Sequence, residues 1–294
     1  TDAIMLENRD FWVSTDGFGT GSSESDATYW EYALAKIAHG NTIYLKAGTY
    51  TNIVGQSISK SINVVGQGDV IINPNGTGRA LTVSGYNVVI NNVKFENGFL
   101  NGTYGGLVYW TGSYGVLNNS AFINSTVINN HGGALYWTGS YGTLENTKFE
   151  NNTVISLTTT GSYVGGSIYW TGNYGSINNA NFTNSIIENG TNSRGGAIYW
   201  SGSYGNVSNS NFINNTADKC NDIYYTQNLT LMNNKFEGDY IVVLDDILLQ
   251  NHENAFIKIT VPNEGITVNV TVNGTHHYNY TIEANSSGNV PLRL

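Results

Sequence analysis

The stretch Gly105-Gly106-Leu107-Val108-Tyr109-Trp110-Thr111-Gly112-Ser113-Tyr114-Gly115-Val116-Leu117-Asn118-Asn119-Ser120-Ala121-Phe122-Ile123-Asn124 decides the fold, because it recurs. Its Gly-Gly start returns at Gly132, Gly165 and Gly195, at spacings of 27, 33 and 30 residues. Degenerate copies flank the set, one over 78–97 and one from Cys220 through Tyr224 and Tyr225 to Phe236. A period of this length marks a solenoid, in which each unit buries its apolar side only by stacking on the next.

The second half of the repeat fixes the architecture. Ile90, Leu117, Leu144, Ile177, Val207 and Leu231 align. Two residues on stand Asn92, Asn119, Asn146, Asn179, Asn209 and Asn233. Five residues on stand Phe95, Phe122, Phe149, Phe182, Phe212 and Phe236. Side chains of a strand alternate faces, and here the alternation breaks at asparagine. Asparagine tolerates the left-handed backbone of a sharp bend. The aliphatic residue therefore points inward, the chain turns at asparagine, and phenylalanine points inward on the next strand. Gly66, after Val64, is expected at the same corner of an earlier coil.

Helical solenoids are disfavoured, because Gly, Asn, Thr and β-branched residues are poor helix formers. Propeller blades need longer, four-stranded units. The prediction is an all-β chain, a right-handed parallel β-helix of two or three short strands per coil. About seven coils at about 4.8 Å would make a rod roughly 35 Å long. Coil length varies in one place, over Ser125–His131, Asn152–Val164, Ser185–Arg194 and Asn215–Lys219, which read as loops. Residues 1–238 form the helix and its cap, and 239–294 a small, sandwich-like β module open to truncation at Leu294.

A solenoid must cover its open core. Ser25 and Asp26 are good helix caps, and Trp30, Ala33, Leu34, Ile37 and Ala38 recur at helical spacing until Gly40. A capping α-helix over about 26–39 is expected as the N-terminal plug, with the first coil opening at Thr42. In the C-terminal module, Phe256–Val261, Ile266–Val272 and His277–Ile282 read as strands, and Asn273-Gly274 as a tight hairpin turn.

Charged residues are 11% of the chain against 40% apolar ones, so the surface must be built from Asn, Ser, Thr, Gly and Tyr. A net charge of -9 argues against nucleic acid, which needs clustered Lys and Arg. No apolar run reaches the length of a membrane span, so no membrane insertion is expected in this segment. The lone Cys220 excludes a disulfide framework.

Asn41-Thr42-Ile43-Tyr44-Leu45-Lys46-Ala47-Gly48-Thr49-Tyr50, followed by Ile62-Asn63-Val64-Val65-Gly66-Gln67-Gly68, resembles the opening coils of pectate-lyase-like β-helix proteins. The Gly-Gly-Ala-Ile-Tyr block at 195–199, with its Phe-x-Asn-Asn block at 212–215, resembles the adhesin-like proteins of methanogenic archaea. The resemblance covers about residues 10 to 238. It implies a large exported protein of repeated β-helix and β-sandwich-like modules with a role in attachment, and it supplies no catalytic motif.

Enzymes on this fold need grouped carboxylates, to hold Ca²⁺ or to act as paired acids. Between Gly105 and Thr216 the charged residues are Glu145, Lys148, Glu150, Glu188 and Arg194, with no Asp. Lys94-Phe95-Glu96, Lys148-Phe149-Glu150 and Lys235-Phe236-Glu237 share one register and read as a solvated face around a buried phenylalanine. His39, His131, His252, His276 and His277 lack metal-ligand spacing. Asp245-Asp246, and Asp16 with Glu24 and Asp26, read as turn or cap chemistry, and Cys220 as an inert packing residue. No metal and no cofactor is expected. Asn-x-Ser/Thr sequons, for example at Asn75, Asn101, Asn118, Asn124, Asn181, Asn206, Asn228 and Asn273, would accept glycans in an exported protein.

The aromatic columns are the candidate site. Tyr109, Tyr136, Tyr169 and Tyr199 form one, continued by Tyr224; Trp110, Trp137, Trp170 and Trp200 form the next; Tyr114, Tyr141, Tyr174 and Tyr204 form a third. If Val108, Leu135, Ile168 and Ile198 point in, the first tyrosines point out and the tryptophans lie inside or at the bend. An exposed aromatic ladder stacks on sugar rings or packs a protein partner; the competing reading is a stack that only stabilises the solenoid. The leading expectation is a non-catalytic, extracellular cell-surface adhesin segment, a monomeric rod within a larger protein. It would bind a glycan or protein of another cell through this face. A polysaccharide lyase or glycoside hydrolase, and a purely structural stalk, are the alternatives.

Overall fold

The computed structural model describes residues 5–158 and 161–237, together with strands 256–260, 267–272, 278–283 and 289–293. The chain is a right-handed parallel β-helix. Equivalent residues of successive repeats stack in register, as Leu135 does on Val108 and on Ile168. Seven parallel strands make the first sheet: Gln56–Ile58, Leu81–Val83, Val108–Trp110, Leu135–Trp137, Ile168–Trp170, Ile198–Trp200 and Ile223–Tyr225. The aliphatic strands, such as Val116–Asn118, and the phenylalanine strands, such as Ala121–Ile123, make two further runs. The long strand Asn63–Ile72 belongs to both and joins them into one 15-stranded sheet. The stack begins earlier than the sequence suggested, because Phe11–Val13 pairs parallel with the strand Thr42–Tyr50.

The middle coils have four short strands rather than two or three. The extra strands, Phe99–Asn101, Thr126–Ile128, Thr153–Ile155 and Ile186–Glu188, form a fourth sheet. Three of them lie in segments read as loops. Their β-branched alternation turns Val127, Val154 and Ile187 inward, where they pack as a second, smaller apolar cluster.

Asparagine makes the corners. Asn92, Asn119, Asn146, Asn179, Asn209 and Asn233 all have φ between 48° and 58°. A second corner follows the phenylalanine strand at Asn97, Asn124, Asn151, Asn184 and Asn214. Outer-face amides also ladder, as in Asn146 Nδ2 to Asn118 Oδ1 at 2.9 Å and Asn179 Nδ2 to Asn146 Oδ1 at 2.7 Å. Gly66 stands level with Asn92 at the corner where the long strand passes from one run to the next, but without a left-handed φ. It lies inside the long strand, and its carbonyl accepts from Asn92 Nδ2 of the next coil at 2.8 Å. Glycine is needed there because a Cβ would strike the Asn92 carbonyl. In the Gly-Gly pair, the first residue has φ of 66° to 70°, and a Cβ on the second would meet backbone of the next coil. Cys220 holds that first position in the last coil, at φ 56°.

The core is columnar. Trp110, Trp137, Trp170 and Trp200 stack in parallel at 4.3 to 4.8 Å and are fully buried. Phenylalanines 95 to 236 stack at 4.9 to 5.0 Å. Truncating one such indole or phenyl ring costs about 3–5 kcal/mol, which makes these columns the main stabilising element of each coil.

The N-terminal helix is shorter than expected, Trp30–Lys36. Ser25 and Asp26 belong to a 3₁₀ turn over Glu24–Asp26, and Tyr29 is the N-cap. The Asp26 carboxylate accepts instead from Thr20 and Ser22, whose hydroxyls hold it below the usual carboxylate range. Ile37 leaves the helix to bridge Glu7. Trp30, Ala33 and Ile37 are nonetheless buried in the core. Beyond the coils, Phe256–Thr260 pairs antiparallel with Asn289–Arg293, and Thr267–Val272 with Tyr278–Glu283. Asn273-Gly274, Asp245-Asp246, His252, His276 and His277 lie outside the described residues. Among the described residues, no helix is long and apolar enough to cross a membrane.

Candidate functional site

The three aromatic columns lie in different environments. In each coil, the tryptophan closes the first strand from inside. The indole N–H of Trp137 donates to Gly139 O at 3.1 Å, that of Trp170 to Gly172 O at 3.0 Å, and that of Trp200 to Gly202 O at 2.8 Å. The first indole, Trp110, finds no acceptor among the described residues. The tryptophans are therefore core, and the expectation that Trp110, Trp137, Trp170 and Trp200 join an accessible ladder is corrected. Val108 and Trp110 flank Tyr109 on one strand, so both turn inward when Tyr109 turns out.

Tyr109, Tyr136, Tyr169 and Tyr199 do point outward, but they lie half-buried. Tyr109 stacks on Tyr136, and Tyr136 on Tyr169, at 5.1 and 4.7 Å; Tyr199 turns edge-on to Tyr169. Burial raises the Tyr109 and Tyr169 hydroxyls above the ordinary phenol range. Burial pushes Tyr136 up to about 12. Cations close both ends of the column. The Arg79 guanidinium lies 5.4 Å over Tyr109 and donates to the Gly105 carbonyl at 2.9 Å. Arg194 lies 4.8 Å over Tyr224 and donates to its hydroxyl at 3.0 Å. Tyr224 continues the register but is only 2% exposed.

The third column is the exposed one. Tyr114, Tyr141, Tyr174 and Tyr204 are 43, 45, 48 and 64% exposed. Their rings stack at 4.7, 4.8 and 5.1 Å, within 13° of parallel. Tyr86 leans on the first of them at 54°. Each of the four has left-handed backbone, φ 56° to 58°. That conformation is uncommon for a bulky residue without a short polar side chain. In the preceding coil the same corner is Asn87, φ 54°. The glycine after each tyrosine lets the turn pass over the tryptophan: a Cβ at Gly115 would strike the Trp110 indole. Over 111–118, 138–145, 171–178 and 201–208 this corner carries no cation, and Glu145 is its one charge.

The remaining candidates are dispersed. Lys94–Glu96 and Lys148–Glu150 form partly exposed ion pairs within their strands, the solvated face expected for them. Such pairs contribute little stability. Glu145 and Glu150 lie on separate strands across the Asn146 corner. His39 Nδ1 accepts from Ser61 N at 3.1 Å and His131 Nδ1 from Val164 N at 3.2 Å. Asp16, Glu24 and Asp26 line one polar cleft with Lys46. Among the described residues, no three His, Cys, Asp or Glu are grouped to hold a metal ion. The sequon residues Asn118 and Asn124 serve as ladder acceptors, while Asn75, Asn101 and Asn228 stand exposed.

One internal feature escaped the sequence. Beneath the second corner runs a buried polar seam: Asn152 Nδ2 donates to Phe122 O and to Ser167 Oγ, which lies 2.7 Å from Ser185 Oγ. One coil before the last, Asn215 takes the place of Asn152, and donates to Asp222 of the last coil at 2.9 Å. Burial pushes the Asp222 carboxyl up to about 6, against the opposing effect of that hydrogen bond. The recurring Ser or Asn after the second corner is the signal in the sequence.

Stacked parallel sheets, asparagine corners and inward aromatic columns define a right-handed parallel β-helix protein. No family model matches the sequence, and no curated protein matches it. Solved structures do. The pectate lyase Pel9A is similar at 15% identity, with 80% of each chain covered and a TM-score of 0.40. A pectin methylesterase mutant in complex with hexasaccharide IV is similar at 12% identity, with 80% of each chain covered and a TM-score of 0.45. Both names are those of enzymes.

Proposed function

We propose that this chain is a rigid, non-catalytic segment of an exported, adhesin-like cell-surface protein, and that its Tyr114 corner is the contact face for a glycan or protein of another cell. One observation carries the reading. Four exposed tyrosines occupy a left-handed corner that the fold fills with asparagine one coil earlier. Backbone outliers gathered at one surface are a reason to look for function there. The half-buried Tyr109 column fits the purely structural role better, since its rings pack on one another and lie partly under the surface.

The test is the quadruple variant Tyr114→Asn, Tyr141→Asn, Tyr174→Asn, Tyr204→Asn in a cell- or surface-retention assay. Asn87 shows that the corner accepts asparagine, so the variant should fold. Loss of retention is expected. Retention at the original level would remove the ladder from the function. A lyase or hydrolase would declare itself by new reducing ends or unsaturated products on polysaccharide incubation.

A further inference from the structure

A stacked ladder presents its partner with ring edges, not ring faces. Each face of Tyr141 and Tyr174 is covered by a neighbouring ring, at 4.7 to 5.1 Å. A sugar therefore cannot stack flat on the middle of the column, as a lone exposed aromatic would allow. What the column offers instead is a row of phenol groups, one per coil, parallel to the rod axis. Beside them run Ser113, Ser140, Asn173 and Ser203, one residue before each tyrosine. The face is a cation-free lattice of hydrogen-bonding groups with a single repeat distance.

Repeat distance and charge together select the partner. The rungs recur at 4.7 to 5.1 Å. An extended polypeptide advances about 3.3 Å per residue, so its like-facing side chains recur at roughly 6.6 Å and fall out of step at the second rung. Nucleic acids and uronic-acid polymers need cations, and this corner has none within its four turns. A β-1,4-linked hexopyranose chain in its extended form advances by close to one rung per sugar and turns over at each linkage, so its like-facing hydroxyl edges recur at close to two rungs and stay in step with the column. We infer that the ladder binds a neutral, linear β-1,4-linked glycan lying parallel to the rod axis, one sugar to each coil. The inference rests on the Tyr114 corner being the contact face, and it adds the ligand class and its direction.

The experiment is calorimetric titration of the full chain with β-1,4-linked glucose and N-acetylglucosamine oligomers, from disaccharide to hexasaccharide, with oligogalacturonate as the anionic comparison. Affinity for at least one neutral series should climb with length and level off once the chain spans the four rungs. The quadruple Tyr→Asn variant should bind the longest oligomers at least about tenfold more weakly. Affinity independent of length, equal binding of oligogalacturonate, unchanged binding by the variant, or no binding of either neutral series would each overturn the inference. If none of these oligomers binds while surface retention still depends on the tyrosines, the glycan assignment fails alone and the contact face stands.

Discussion

Asn119 and Tyr114 occupy the same backbone well for different reasons. Asparagine corners follow from local chemistry, because a short amide tolerates positive φ and bonds its neighbours. They were therefore legible from the aligned sequence alone. The left-handed tyrosines were not, because the conformational preferences of a bulky side chain argue against that conformation. Only the stacked structure shows them taking it together. The tryptophans were half legible: the alternation around Tyr109 left them inside or at the bend, and the indole bonds to Gly139, Gly172 and Gly202 place them inside. The residue scale also carries a pH dependence. The Asp222 carboxyl is raised from 3.8 to about 6, so folding favours its protonated form. Its stabilisation is complete below pH about 4 and is lost as pH rises through about 6, a span worth ~2–3 kcal/mol. Asp222→Ser restores the residue type that Ser167 supplies two coils earlier, and should abolish this slope. Denaturant unfolding of both proteins from pH 4 to 7 checks it: parallel pH curves would refute the assignment.

The element of this fold is the coil. Strands of three residues have no independent stability, and they persist because each pairs on both sides in the interior of the stack. Register made the coil readable, since the Phe and Asn columns repeat without gaps. The fourth strand was not readable, because it lies in the one segment whose length varies, and its partner cluster of Val127, Val154 and Ile187 is formed only by stacking. The cap helix was over-read for a similar reason: Ile37 keeps the helical spacing but bridges Glu7 instead. Solenoid stability is close to a sum of repeat and interface terms. Deleting residues 105–131 should therefore leave Leu81–Val83 paired with Leu135–Trp137, a folded chain, and a denaturant slope smaller by about a tenth. Circular dichroism and urea titration measure this. Global unfolding of the deletion protein would show that the coils are not interchangeable.

At the scale of the whole molecule, the question is whether the exposed ladder serves the rod or its surroundings. Left-handed backbone costs a tyrosine roughly 1 kcal/mol or more. Each parallel aromatic pair returns about 0.5–1.5 kcal/mol, and less in water than in a core. Four such costs match or exceed what three pairs return, so the ladder adds little or nothing to the stability of the fold. The buried tryptophan and phenylalanine columns carry the stability, and the tyrosine edge remains available for contact. The most direct test is the unfolding free energy of the Tyr114, Tyr141, Tyr174 and Tyr204 to Asn variant beside the unaltered chain. The two should agree within about 2 kcal/mol. A loss well beyond about 4 kcal/mol would show that the tyrosines hold the rod together, and would contradict their assignment as a binding face.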